Sequence, residues 1–160
     1  MNAPTQAGLP ALPLKDPKLF RTQCYIDGGW VGGAQTIPVR NPATGSVLGT
    51  VPKLGAEETR RAIDAAERAW PAWRAKTAKE RSTILRKWFD LMMANQDDLA
   101  VLMTVEQGKP LAESKGEIAY GASFIDWFAE EAKRVYGAPS LRPGPTSASS
   151  SSSSRSASRR

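Results

Sequence analysis

Few side chains in this sequence could carry chemistry by themselves. It holds one cysteine, Cys24, and no histidine. The commonest general base and the usual partner of a nucleophilic serine are therefore missing. A Cys24 thiolate could attack an electrophile, but a cysteine beside Tyr25 at the start of a strand also reads as a small buried filler. A lone cysteine excludes an intrachain disulfide, and Cys/His metal sites are absent. Two glycine stretches have the look of phosphate loops. GGWVGG (Gly28–Gly33) lacks the G-x-G-x-x-G spacing and does not join a strand to a helix, and Gln107-Gly108-Lys109 lacks the upstream glycine of a P-loop. Glu113 and Glu117, four apart, could form an acid pair but read first as solvated surface charges. The aromatic set Trp70, Trp73, Trp88, Phe89, Phe124, Trp127 and Phe128 stands at helical spacing, which reads as core rather than as a base-stacking platform.

The elements that must position these residues are legible. In QCYIDGGWVGG, Asp27-Gly28 supports the positive φ angles of a primed turn between two short strands. TIPVRNPATGSVLGTVP reads as a second strand pair turning at Asn41-Pro42 and Thr44-Gly45, with Pro38 and Pro52 arguing for edge strands. The chain then turns helical. Ile63, Ala66, Trp70 and Trp73 share one face of a helix over Gly55–Arg74, and Pro71 predicts a kink or end near Trp70. Thr77 and Glu80 form a capping box ahead of an apolar face of Ile84, Leu85, Trp88, Phe89 and Met92. A third helix begins near Asn95–Asp98 and stops at Gly108. In the fourth, Leu111, Ser114, Ile118, Gly121, Ile125, Phe128, Ala132 and Val135 share a face. Its small residues would admit a close neighbour, Phe124 and Trp127 widen its apolar side, and Gly137 is the expected stop.

The segments CYIDGGWV, RNPATGSVLGTVP, AAERAWPAW and MTVEQGKPLAESKGEIAYGASFIDWFAEEAKRVYG resemble, in order and with matching gaps, the opening portion of an NAD(P)-dependent aldehyde dehydrogenase. The last block resembles the succinate-semialdehyde dehydrogenase branch. The resemblance covers about residues 20–137 and implies an α/β family fold, of which this chain supplies two short β-hairpins and about four α-helices that pack against and form the N-terminal part of the cofactor domain. Family chemistry would be thiolate attack on an aldehyde, hydride transfer to NAD or NADP, and hydrolysis of a thioester by glutamate-activated water. The family's cysteine, glutamate, asparagine and nucleotide-binding elements lie downstream of the position matching Gly137. No catalytic or cofactor-binding residue carries over, Cys24 is not the family nucleophile, and the chain is expected to be inactive and to bind neither NAD nor NADP. One modest carry-over concerns the substrate tunnel, whose mouth the family lines with the positions matching Gly116 and Tyr120. Those two also read as plain helix-surface and packing positions. Full-length family members are homo-oligomeric, and this chain, its apolar faces partly uncovered, is expected to self-associate or aggregate.

The two ends read differently. Residues 1–19 carry four prolines and no apolar period, which predicts a mostly irregular arm. Residues 138–160 are rich in serine and contain four arginines but no acid or lysine, which predicts a disordered tail. Those arginines supply +4 of the net +6, leaving the body near neutrality with mixed signs. A nucleic-acid partner is therefore not expected. The competing reading is a small interaction module whose Arg/Ser tail binds RNA or an acidic partner, although four arginines make a weak electrostatic footprint. Because the resemblance fades at the glycine where the serines begin, the tail is expected to come from a shifted reading frame of a GC-rich gene. If so, another frame downstream of Tyr136 encodes further aldehyde-dehydrogenase-like sequence; its absence from both other frames refutes the idea. Neither a membrane span nor a signal peptide is apparent, and a cytoplasmic location is expected.

Overall fold

The computed structural model of the chain describes residues 12–134. The expected serine-rich tail, the helix stop at Gly137 and the first part of the arm lie outside them. Strands β1 (Cys24–Ile26) and β2 (Gly29–Val31) pair antiparallel with Ile26 opposite Gly29. The turn between them has φ of 53° at Asp27 and 79° at Gly28, the two positive angles of the expected primed turn. Tyr25 faces Trp30 across the pair with ring centroids 5.3 Å apart, and the Arg21 guanidinium lies 4.9 Å over the indole. Strands β3 (Thr36–Arg40) and β4 (Val47–Pro52) form the second hairpin. Asn41 builds its turn: the side-chain oxygen accepts from the Ala43 N–H at 2.9 Å and the carbonyl from the Gly45 N–H at 2.8 Å. Both sheets are two-stranded, so Pro38 and Pro52 do lie in edge strands.

Four helices follow: α1 (Ala56–Ala75), α2 (Ala78–Ala94), α3 (Gln96–Gln107) and α4 (Leu111–Glu131). The capping box at the start of α2 is formed, with Glu80 N–H donating to the Thr77 hydroxyl and Thr77 N–H donating to the Glu80 carboxylate at 2.7 Å. The Thr77 hydroxyl also donates to that carboxylate at 2.7 Å, and this bond, followed by the one from the Thr77 N–H, holds the Glu80 carboxyl below its ordinary range. Thr77→Ala is expected to cost about 1 kcal/mol, seen as a lower urea midpoint at an unchanged m-value.

Two expectations need correction. Helix α1 does not end near Trp70 but runs through Pro71 to Ala75. Proline removes the bond to the carbonyl four residues back, that of Glu67; both Pro71 and Glu67 are exposed, so water can satisfy the freed oxygen. Helix α4 runs to Glu131 and tightens into a 3-10 turn over Ala132–Arg134, where the described residues end. The buried line of α4 is Ser114, Ile118, Ala122 and Ala129, so Ala122 and Ala129 replace the expected Gly121 and Phe128. The 3.6-residue period drifts around the helix, and in its second half the inward line moves one position onward, to the alanines.

The helical core sits where α4 packs on α2 and α3, built from Ala100, Ile118, Ala122 and Ala129 with the buried hydroxyls of Ser82 and Ser114. Ser114 meets Thr104 of α3 at 2.9 Å. Small side chains bring the helices close, at Ser114 as expected but through Ala122 and Ala129 in place of Gly121. The aromatic set is not core in this chain. Trp70, Trp88, Phe124, Trp127 and Phe128 are exposed, as are Ile63 and Ile84, while Trp73 and Phe89 are half-buried. Helix α1 touches the rest chiefly through β1 and an Arg68–Asp27 ion pair at 2.9 Å. Binding of an apolar dye by the native chain, with a broad thermal transition, is the expected consequence of these faces. A sharp two-state melt without dye binding would contradict it.

The described part of the arm, residues 12–19, is tied to the body. Residues 17–19 form one 3-10 turn capped by Asp16, and the backbone N–H groups of Lys15 and Asp16 donate to Asp98 at the start of α3.

Candidate functional site

Gly116 and Tyr120 stand one turn apart on the side of α4 away from the core. Tyr120 is 66% exposed and meets Phe124 edge-on, with ring centroids 4.8 Å apart. A Cβ placed on Gly116 would have no neighbour within 4 Å. Phe124 and Trp127 continue the same side toward the C-terminal end. The outcome is an open, largely aromatic strip, with the Tyr120 hydroxyl, Ser123 and Glu113 as its polar side chains.

The turn that carries Gly116 is held from behind. Ser114 bonds Thr104, the Gln96 side-chain amide donates to the Lys115 carbonyl at 3.0 Å, and the Lys115 ammonium pairs with Asp97 at 2.7 Å. Lys109 pairs with Glu117. The strip is thus fixed in place yet uncovered. It can shape and line a passage, and the exposed Glu113 and Ser123 beside it have no base or acid partner aligned with them, the Ser123 hydroxyl donating to the Tyr120 carbonyl at 2.7 Å. Gly116→Ala is accordingly expected to stabilise this chain by about 0.5–1 kcal/mol, because alanine is the better helix former and the space is open. Chemical denaturation checks it.

The other candidates separate. Cys24 is half-buried in β1 opposite Val31. GGWVGG closes the first hairpin and leaves it, so its glycines point no helix N-terminus at a phosphate. Gly108 is the left-handed C-cap of α3 at φ 75°, and Lys109 is engaged by Glu117. Among the described residues there is no cluster of metal-ligating side chains, and no helix is long and apolar enough to cross a membrane. The glycines present do not fit a dinucleotide, so no step through NAD or NADP can be derived from them.

Sequence reasoning took Asp97 and Asp98 only as the beginning of a helix. In the structure Asp97 bridges Lys115 and Lys15, at 2.7 and 2.9 Å, which lowers its carboxyl to about 2. Asp98 is buried, and the backbone N–H groups of Asp16 and Lys15 lower its carboxyl as well. Both folded values lie below the unfolded one of about 4. The contribution of Asp98 is therefore present above about pH 4 and lost as acid lowers the pH further, and that of the exposed Asp97, small because water screens its pairs, fades toward pH 2. Acid unfolding followed by circular dichroism should show a shallower loss between pH 4 and 2 in an Asp97→Asn, Asp98→Asn double variant. The only advance signal was acid in a helix's first turn, which does not name partners more than eighty residues away.

Comparison with known proteins gives this strip its context. The profile of the aldehyde dehydrogenase family matches residues 30–156, a span that continues past Gly137. The glutarate-semialdehyde dehydrogenase of Pseudomonas aeruginosa is 70% identical over 128 residues, covering 79% of this chain and 26% of that protein. The NADP(+) succinate-semialdehyde dehydrogenase of Escherichia coli K12 is 66% identical over 128 residues, again 79% of this chain and 27% of its own. The crystal structure of an aldehyde dehydrogenase from Brucella melitensis biovar abortus superposes with a TM-score of 0.82 at 58% identity, covering 84% of this chain and 28% of that one. The chain thus spans about a quarter of the length of the curated relatives it matches. Its hairpins and helices follow the fold of solved aldehyde dehydrogenases along most of its length, and the chain belongs to the aldehyde dehydrogenase family.

Proposed function

We propose that residues 20–137 are the opening segment of an NAD(P)-dependent aldehyde dehydrogenase that oxidises short aldehydes bearing a carboxylate at the far end. The observation that carries this is the 70% and 66% identity to enzymes named for glutarate and succinate semialdehydes. Both substrates are ω-carboxylate aldehydes differing by one methylene. In this reading Gly116 and Tyr120 form part of the mouth of the substrate tunnel. Gly116 leaves the width, and Tyr120 supplies an aromatic wall with one hydroxyl that can donate to a carboxylate. The chain itself contributes lining and scaffold. The nucleophile, the general base and the nucleotide cradle belong to the remainder of the family domain, so the chain alone turns over no aldehyde.

A chimera tests the reading. Residues 20–134 replace the matching segment of the Escherichia coli enzyme, and oxidation of succinate and glutarate semialdehydes is followed by reduced-cofactor absorbance. The chimera is expected to be active on both. Gly116→Leu within it should raise KM at least about tenfold with a smaller change in kcat, since it obstructs entry rather than the reacting atoms. A soluble, folded chimera without activity, or a Gly116→Leu variant with unchanged KM, would sink the proposal. The isolated chain should show no turnover in the same assay, and measurable turnover would overturn that part.

A further inference from the structure

We propose that Lys15–Phe20 is a strap that fastens the second hairpin to the helical body, latched at one end by the Asp98 carboxylate. Asp98 is 4% exposed and accepts two backbone N–H bonds, from Lys15 at 3.0 Å and from Asp16 at 2.8 Å. Asp16 in turn caps the following 3-10 turn through the Lys18 N–H at 3.0 Å, and the Phe20 N–H closes the turn on the Pro17 carbonyl at 3.2 Å. That turn aims Phe20 at the other end of the strap. Its ring comes within 3.0 Å of where a Cβ on Gly49 of β4 would stand. The strap therefore runs from the first turn of α3 to the back of the hairpin. Hairpin β3–β4 also meets the helices where Pro42 lies against Gly108 at the end of α3, and Leu48 of β4 is itself buried.

Asp98, and not its neighbour, is the latch. Asp97 reaches the strap through the Lys15 ammonium, an ion pair whose side chains are 79% and 50% exposed, and exposed pairs of this kind contribute little. Asp98 is buried and bonds to main chain, so removing it leaves two N–H groups without their acceptor.

Amide hydrogen exchange by NMR on the whole chain at pH 7 tests the strap. The Lys15 and Asp16 amides should exchange at least about tenfold slower than free amides, and the Gly49 amide should carry a ring-current shift from Phe20. Asp98→Ala should abolish both signatures while Ile118 and Ala122 of α4 keep their protection. Asp97→Asn should leave the Lys15 and Asp16 rates within about twofold. Free exchange at Lys15 and Asp16 in the unmodified chain overturns the proposal, as does their continued protection in Asp98→Ala. Equal effects of the two substitutions overturn it too, since they would mean general charge attraction. Should Asp98→Ala unfold the helices, Lys15→Pro removes one donor without touching α3. It should free the Asp16 amide and erase the Gly49 shift, and retention of both overturns the latch.

Discussion

Ala122→Leu is expected to destabilise the chain by about 2–3 kcal/mol, and Gly121→Ala beside it is expected to be neutral or stabilising. Ala122 is completely buried where α4 packs on its neighbours, and the adjoining core positions Ala100 and Ala129 are equally closed. Three added carbons have no space, so either the helix must shift outward or the new side chain must leave its rotamer. A shift would also pull Ser114 from Thr104, because both contacts lie on the same side of α4. Gly121 differs from Ala122 by one position and 100° of helix. A Cβ there meets nothing within 4 Å, so alanine brings only its better helix propensity. Urea titrations of the two variants check the register of α4 directly. Equal losses, or a larger loss at Gly121, would mean that the buried line runs as the apolar pattern implied.

Gly108→Val is expected to cost about 3 kcal/mol. Two causes add. At φ 75° the residue is in the left-handed region, which penalises a side chain by about 1–2 kcal/mol and a β-branched one most. A Cβ would also stand 2.9 Å from Cγ of Pro42, well inside contact distance, so the hairpin turn must move away. Gly108→Asn separates the causes. Asparagine tolerates the left-handed conformation but keeps the Cβ, so it should lose less than valine and recover further when Pro42 is also made alanine. Thermal or urea unfolding of the three variants reads this out. An Asn variant as stable as the original would show that the turn yields freely and that Pro42 does not join hairpin to helix.

Much of the local structure was legible because it is decided within a few residues. Asp27-Gly28 specifies a primed turn by its φ angles, Thr77 and Glu80 satisfy each other's orphan groups, and Gly108 ends α3. Of the kink or end that Pro71 predicted, the end does not occur, because propensity marks what a proline removes, whereas solvent access to the Glu67 carbonyl depends on where α1 lies. The candidate site was only half legible. Gly116 and Tyr120 came from resemblance to a family, and their i, i+4 spacing on a helix guaranteed a shared face. That this face looks outward, and that the turn beneath it is held by Ser114, Lys115 and Gln96, depends on the packing of α4 against α3.

By itself the sequence determined the order of two hairpins and four helices, the family, and the poverty of reactive groups, since each follows from residue type or from spacing inside one element. Tertiary structure alone decided which apolar residues are covered. A hydrophobic period says that a side of a helix prefers to leave water, but whether anything lies against it depends on elements far along the chain. Ala122 is closed and Trp127 is open on the same helix for that reason. It also decided the role of Asp98, because a carboxylate in a first helical turn becomes a latch only when a strap more than eighty residues earlier presents two free N–H groups to it.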